Sequence, residues 1–250
     1  SYQILAAPPR RYSDESFLLA APRRKTNQNF VLTAHVDTVY PQPRCIERIN
    51  GIWRGIDSGI GSDDRAGVAM IWAILDAGLQ PQIALFAGEE IGCIGSEALL
   101  DSTAADWISE NSAFIIGLDR EGRHDAVFYE CDSKPLRDLL CPPYRESFGS
   151  YTDCRILGEA LDLAHANLSV GYWKNHTTGE LFFSKWWRAS LKHILKIFRN
   201  QGPFPQMAAD LYRRPLSAFW DYPRQNCLWC GEILNNPVLA LCEDCTNSLP

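Results

Sequence analysis

The chain has no long uninterrupted apolar run and no excess of basic residues. None of its hydrophobic stretches approaches the roughly 18 residues that span a bilayer, although 46% of its 250 residues are apolar. Its 24 Lys and Arg are outnumbered by 30 Asp and Glu, which gives a net charge of −6. Such a chain lacks the overall charge that attracts nucleic acid or anionic membranes. We therefore expect neither kind of partner.

The sequence contains no internal repeats and no low-complexity segments, and we expect no signal peptide. The first residues, SYQILAAPPRRYSDESF, have neither the basic start nor the unbroken apolar core of a secretory signal. The nine cysteines are an odd number, and those outside a C-terminal cluster show no pairing pattern. A reducing compartment, the cytoplasm, is the expected location.

Strand-like and helix-like segments alternate along the chain. Residues 14–22 are interpreted as a first helix or turn, a hairpin is expected at Asn50-Gly51, and helical spacing covers residues 64–77. The alternation predicts an α/β fold, a three-layer sandwich whose mostly parallel mixed sheet carries helices on both faces. We expect a catalytic domain at 1–200, a Pro- and Trp-rich linker at 201–224 and a small C-terminal module at 225–250.

The strand-like segment VLTAHVDT, residues 31–38, ends in two polar side chains that share a face. In an extended chain residues i and i+2 point the same way, so His35 and Asp37 lie side by side. The carboxyl ends of strands are where open α/β sheets place their chemistry. A carboxylate beside an imidazole commonly orients a metal-bound histidine. A capped strand end with a surface His–Asp pair is the alternative.

Further acids and one histidine follow other apolar runs or glycine turns. If the fold gathers them at one sheet edge, their carboxylates repel one another unless cations compensate. Two divalent metals would do so, and the mixture of imidazole and carboxylate suits zinc, with cobalt or manganese as substitutes. An N-cap pair before a helix and complementation of a helix dipole are the alternatives for the two adjacent acid pairs. The acids and the histidine that follow these apolar runs and glycine turns are Asp63, Asp64, Glu89, Glu90, Asp119 and His176.

Five motifs resemble, in order, those of the co-catalytic di-zinc exopeptidases: LTAHVDT, GSDDRAGVA, AGEEIGCIGS, GLDREG and VGYWKNHTTGE. That clan includes bacterial leucyl aminopeptidases, peptidase T-like enzymes and acetylornithine-deacetylase-like hydrolases. The resemblance covers roughly residues 15–185. It implies that His35 and Asp119 bind one metal, that Glu90 and His176 bind the other, and that Asp63 bridges the two.

The same resemblance implies supporting roles around the metals. Asp37 would orient His35, Glu89 would be an unligated general base, and the Asp63–Asp64 peptide bond would be cis. We also expect Asp153 either to support the site or to form an Asx-turn, and Arg120, which follows Asp119, either to hold a substrate carboxylate or to form a surface salt bridge.

One departure from the clan concerns its lid. Many members insert more than a hundred residues between the last two metal-ligand motifs, whereas 56 residues separate Asp119 from His176. The chain therefore resembles the compact, lid-less branch, whose substrate selection would come from surface loops or the C-terminal segment.

The C-terminus reads NCLWCGEILNNPVLALCEDC, which contains two Cys-x-x-Cys pairs. Four thiolates predict one structural tetrahedral zinc in a short zinc ribbon. A module of this size needs its metal to fold. Its acidic residues favour a protein partner over nucleic acid. The ligands would be Cys227, Cys230, Cys242 and Cys245.

The predicted function is amide hydrolysis by a di-zinc metallohydrolase, most simply an exopeptidase or aminopeptidase acting on small peptides. A deacylase or amidase acting on N-acylated small molecules, such as acyl-amino acids, shares the mechanism and remains open. A catalytically silent adaptor that acts through the ribbon is the third possibility. The sequence does not identify which end of a substrate is recognised.

Overall fold

Apolar runs in the sequence become the strands of a mixed eight-stranded sheet in this computed structural model. Its strands are β1 (Tyr2–Ala6), β2 (Phe17–Pro22), β3 (Val31–His35), β6 (Gln82–Phe86), β7 (Ile115–Arg120), β8 (Asp125–Val127), β9 (Arg145–Ser147) and β10 (His165–Ser169). The four central strands, in the order β6, β3, β7 and β10, are mutually parallel, so their carboxyl ends meet at one edge. β1 pairs antiparallel with β2, β2 with β6, and β8 with β10, whereas β9 pairs parallel with β8 at the other margin.

The structure describes residues 1–6, 13 and 15–211. The predicted zinc-ribbon module and its four cysteines lie outside the described residues, as do positions 212–224 of the predicted linker. The first residues of the predicted linker, 201–211, are described. Among them, Phe204 packs edge-on against Phe114, and Met207 donates a backbone hydrogen bond to the carbonyl of Ala113. Among the described residues, no helix is long and apolar enough to cross a membrane.

Side chains alternate along the central strands and thereby create two cores. Ile116 and Leu118 face one core with Met70, whereas Ile115 faces the other with Leu157. Helices cover both faces of the sheet, which confirms the predicted three-layer α/β sandwich. They are α1 (Ser62–Asp76), α2 (Ile94–Leu100), α3 (Thr103–Asn111), α4 (Lys134–Leu140), α5 (Asp153–Ala160) and α6 (Ser184–Phe198).

A second, four-stranded antiparallel sheet contains the predicted hairpin. β4 (Ile46–Ile49) and β5 (Ile52–Gly55) turn at Asn50 and Gly51, which both have positive φ. β12 (Leu181–Phe183) pairs with β5, and β11 (Tyr172–Trp173) pairs with β12. The loop between β11 and β12 carries His176. This sheet therefore returns the last predicted ligand to the edge of the main sheet.

Two predictions about local structure had different outcomes. The helix predicted at 64–77 is confirmed as α1, although Asp63 and Asp64 at its start have non-helical backbone angles. The helix or turn predicted at 14–22 is wrong, because Phe17–Pro22 form β2. These residues pair with β1 on one side and β6 on the other, so partners distant in sequence override a locally ambiguous apolar run.

Candidate metal centre

The predicted ligands converge at the carboxyl edge of the central strands. His35 closes β3, and Asp119 lies near the end of β7. Glu90 follows β6, and Asp63 precedes the helical part of α1. These positions arise because parallel strands deliver their ends to the same side of the sheet.

Two groups of side-chain atoms could each hold a metal ion. His35, Asp63 and Asp119 form the first group, and the chosen donor atoms lie within 4.8 Å of one another. Nε2 of His35 lies 3.1 Å from Oδ1 of Asp63 and 3.4 Å from Oδ1 of Asp119. These three side chains are largely buried, so the group has little access to compensating water.

The second group consists of Asp63, Glu90 and His176. Nε2 of His176 lies 2.8 Å from Oε2 of Glu90 and 3.1 Å from Oδ2 of Asp63. Asp63 therefore belongs to both groups and presents a different oxygen to each. The His176 side chain is 53% exposed, unlike its two partners.

Asp37 links the two loops that surround these groups. Its Oδ1 lies 3.3 Å from Nδ1 of His35. Its carboxylate also accepts the backbone N–H groups of Glu89, at 3.4 Å, and Glu90, at 3.2 Å. Burial acts to raise the pKa of Asp37, but the hydrogen bond to His35 and the charge of that ring help to bring the pKa below its usual value. The residue thus lies where it can orient both His35 and the Glu89–Glu90 segment.

Glu89 lies beside the two groups without belonging to either. Its Oε2 is 4.0 Å from Nε2 of His35, and Sγ of Cys93 lies 3.8 Å from its Oε1. Burial, reinforced by the charge of Asp119, raises the pKa of Glu89 to about 9. This carboxyl group therefore holds its proton at neutral pH unless cations bind beside it and favour the carboxylate form, which then has the position expected of a proton acceptor.

The three remaining predicted residues lie in different surroundings. The buried carboxylate of Asp64 accepts the backbone N–H groups of His35, at 3.2 Å, and Gly67, at 2.9 Å. The Asp63–Asp64 peptide bond is cis, as the resemblance implies. Asp153 is buried at the start of α5, and burial raises its pKa to about 7. Arg120 follows Asp119 on the strand, and its charge acts on Glu121 and Asp125.

Sequence reasoning did not identify four residues that hold the acids in place. Thr152 and Tyr172 donate hydroxyl hydrogen bonds to Oδ2 and Oδ1 of Asp119, at 2.8 and 3.1 Å. Asn175 donates an amide hydrogen bond of 2.7 Å to Oδ2 of Asp63. Glu180 accepts the backbone N–H groups of Gly61, at 2.7 Å, and Asp63, at 3.0 Å. The only sequence feature that points to any of these four residues is that Asn175 and Glu180 lie close to His176 along the chain.

The electrostatics of the centre suit bound cations. Burial and the charge of Asp63 raise the pKa of Glu90 to about 7. The hydrogen bond to Asp63 raises the pKa of His176 to about 9. Oε1 of Glu90 is buried and has no hydrogen-bond partner among the described residues. Two imidazoles and three carboxylates that cannot all ionise without compensation form a donor set that suits zinc.

Comparisons with known proteins support this interpretation. Residues 18–135, just under half of the chain, match the sequence model of Peptidase family M28. That range includes every predicted metal ligand of the catalytic centre except His176. No curated protein matches the sequence.

Several solved structures share the fold. Aminopeptidase PepT from Bacillus cereus superposes with a TM-score of 0.58 at 12% identity, over 72% of this chain and 83% of that one. A tripeptidase from Staphylococcus aureus gives 0.56 at 14% identity, over 74% and 84%. A leucine aminopeptidase precursor from Bacteroides thetaiotaomicron gives 0.51 at 12% identity, over 80% and 82%. At these identities the likeness establishes the fold alone.

Proposed function

We propose that this chain is a member of the co-catalytic zinc exopeptidase clan and that it removes terminal residues from small peptides by using two zinc ions and a glutamate base. The match of residues 18–135 to Peptidase family M28 supports zinc-dependent peptidase chemistry. The number of ions and the residue roles are our proposal. The observation that carries it is the shared carboxylate of Asp63, which faces His35 with one oxygen and His176 with the other.

In this proposal His35 and Asp119 would hold one ion, Glu90 and His176 would hold the second, and Asp63 would contribute to both sites. When bound, such a pair of ions would supply Lewis acidity, which lowers the pKa of a water molecule toward neutral and polarises a carbonyl group. Cobalt or manganese would fit the same ligands.

The chain's own residues supply the proton transfer. Glu89 accepts the proton of the attacking water at a carboxylate oxygen and returns it to the departing amine nitrogen. Asp37 fixes the position of the His35 ring relative to the Glu89–Glu90 backbone, because its carboxylate contacts both. A silent adaptor has no need for a buried, unligated Glu89, so that residue favours catalysis.

The open architecture favours short substrates that reach the centre from solvent. The 56 residues between Asp119 and His176 form α4, α5 and strands of the two sheets, and within the described chain they include no inserted lid. The catalytic domain is proposed to span residues 1–200, with the zinc-ribbon module at 225–250 as a protein-docking element.

Metal analysis and one substitution test the proposal. We expect about three zinc ions per full-length chain, two at the centre and one at the four cysteines. Glu89→Gln should abolish turnover of aminoacyl chromogenic substrates and keep those ions bound, while Glu97→Gln, an exposed change on α2, should leave turnover intact. About one zinc per chain, or full activity of Glu89→Gln, would refute it. Turnover confined to N-acyl substrates would instead identify a deacylase.

A further inference from the structure

Helix α6 is fixed to the domain by one face. Trp187 donates an indole hydrogen bond of 2.9 Å to the carbonyl of Ala66 on α1. The hydroxyl of Ser190 donates to the carbonyl of Ser169 at 2.6 Å and lies 2.7 Å from the Tyr144 hydroxyl. Ile194 and Phe198 are buried in the core. The opposite face is therefore presented to solvent on a rigid support.

That opposite face is a continuous cationic row. At about 100° of rotation per residue, its five basic side chains fall within an arc of about 80°, and they span about 21 Å of helix. They recur at intervals of three and four residues. All are exposed: Lys185, Arg188, Lys192, Lys196 and Arg199.

These cations have no acidic partners in the described part of the chain. α6 itself contains no Asp or Glu. None of the five forms an ion pair with a described residue, whereas Arg137 pairs with Glu146 and Arg155 pairs with Glu130 at 2.5 and 2.8 Å. The net charge of −6 conceals this local excess of positive charge.

The row borders an apolar margin. A shallow groove along α6 is lined by Leu191 and Leu195 together with Arg188, Lys192, Lys196 and Arg199. The two leucines are half-buried, so part of each side chain remains available. We call the five cations and these two leucines the basic face.

We propose that the basic face binds an amphipathic acidic helix of a partner protein. A helix carrying carboxylates at similar intervals, with apolar residues beside them, would place its acids against the cations and its apolar residues against Leu191 and Leu195. Each exposed ion pair contributes little, but a row of them determines the orientation and selects against basic partners.

The two leucines distinguish this partner from other polyanions. A phosphate backbone has no apolar group for them, and the face has no exposed aromatic ring on which bases could stack. A membrane-inserting surface needs large exposed apolar side chains. Within the described chain, those with high exposure, such as Trp72 and Ile91, lie outside α6.

The test uses the full-length protein and a labelled synthetic peptide of about 20 residues, with Glu and Leu on adjoining helical faces and Ala elsewhere. Fluorescence anisotropy should show saturable binding that weakens when sodium chloride rises from about 0.05 to about 0.3 M. A scrambled peptide of equal composition should bind at least about tenfold more weakly. The double change Lys192→Gln and Lys196→Gln should weaken binding of the helical peptide about tenfold.

A matched double change, Arg24→Gln and Lys25→Gln, removes two exposed cations from a loop and should leave binding unchanged. Thermal unfolding confirms that each variant is folded. Equal binding of the two peptides would overturn the proposal, as would indifference to the Lys192 and Lys196 changes. Tighter binding of a DNA duplex of about 20 base pairs, or of vesicles with about 30% phosphatidylserine, would also overturn it.

Discussion

Nδ2 of Asn175 lies 2.7 Å from Oδ2 of Asp63, the same oxygen that faces His176. An amide that donates to one carboxylate oxygen fixes how the other is presented. The proposed bridge between two metal ions therefore depends on a neighbour that is not itself a predicted ligand. This relationship can be tested separately from catalysis.

Asn175→Ala should lower zinc affinity about tenfold, because loss of a hydrogen bond to a ligand typically costs about ten- to a hundredfold. Competition against a chromogenic chelator measures the affinity. The control is Asn111→Ala, since the Asn111 amide donates to the carbonyl of Trp107 on the exposed side of α3. Equal affinity in the two variants would contradict the proposed role of Asp63.

Gly67→Ala should destabilise the protein by about 2–3 kcal/mol, as overpacking does. A Cβ atom at this position would overlap the carbonyl oxygen of Leu118 and lie 2.5 Å from the carboxylate oxygens of Asp64. Urea unfolding gives the free energy. Gly179→Ala, whose nearest neighbour would be 3.7 Å away, should change it little. Similar effects of the two changes would show that the close approach at Gly67 is unimportant.

Glu180→Gln should cost about 1–3 kcal/mol of unfolding free energy, because it weakens the acceptor of two buried backbone N–H groups. Those groups belong to Gly61 and Asp63, so zinc affinity should fall in the same variant. The change Glu47→Gln at a half-exposed position removes a surface ion pair with Arg54 and should cost far less. Unaltered stability of Glu180→Gln would refute the structural role of this carboxylate.

The buried imidazole of His165 should make stability depend on pH. Burial lowers the pKa of His165 below its ordinary value of 6.5, so the ring stays neutral while its Nδ1 lies 3.0 Å from the Leu163 carbonyl. Below pH of about 6.5 the unfolded chain binds a proton that the folded protein resists. The stabilisation is therefore present above the unfolded pKa and is lost as the pH falls.

Urea unfolding of the wild type and of His165→Asn at pH of about 7.5 and 5.5 measures this contribution. The wild type should lose more free energy of unfolding between the two conditions than the variant does. The comparison removes the contribution of other titrating groups, which the two proteins share. Parallel losses would show that His165 does not cause the dependence.

The sequence was informative where function requires several neighbouring residues of unusual type. His35 with Asp37, Asp63 with Asp64, and Glu89 with Glu90 stand out because polar pairs interrupt apolar runs. Once the order of strands and helices indicated a parallel sheet, their convergence at one edge followed. Their assigned roles stay predictions.

Other features depend on contacts that no local pattern contains. Tyr172 and Thr152 reach Asp119 across 53 and 33 residues of sequence, and each would otherwise resemble an ordinary core or cap residue. Phe17–Pro22 form a strand because they pair with β1 on one side and with β6 on the other. The cationic row on α6 could be found by periodicity, but its lack of acidic partners within the described residues could not.

The contrast between the exposed imidazole of His176 and its buried neighbours has a consequence for metal occupancy. On the proposed assignment, the ion held by His176 and Glu90 lies nearer to solvent and on a loop, so it would dissociate before the ion held by His35 and Asp119. Zinc scarcity would then yield a singly loaded protein that is folded and idle. Such a species would regain activity on resupply without any refolding.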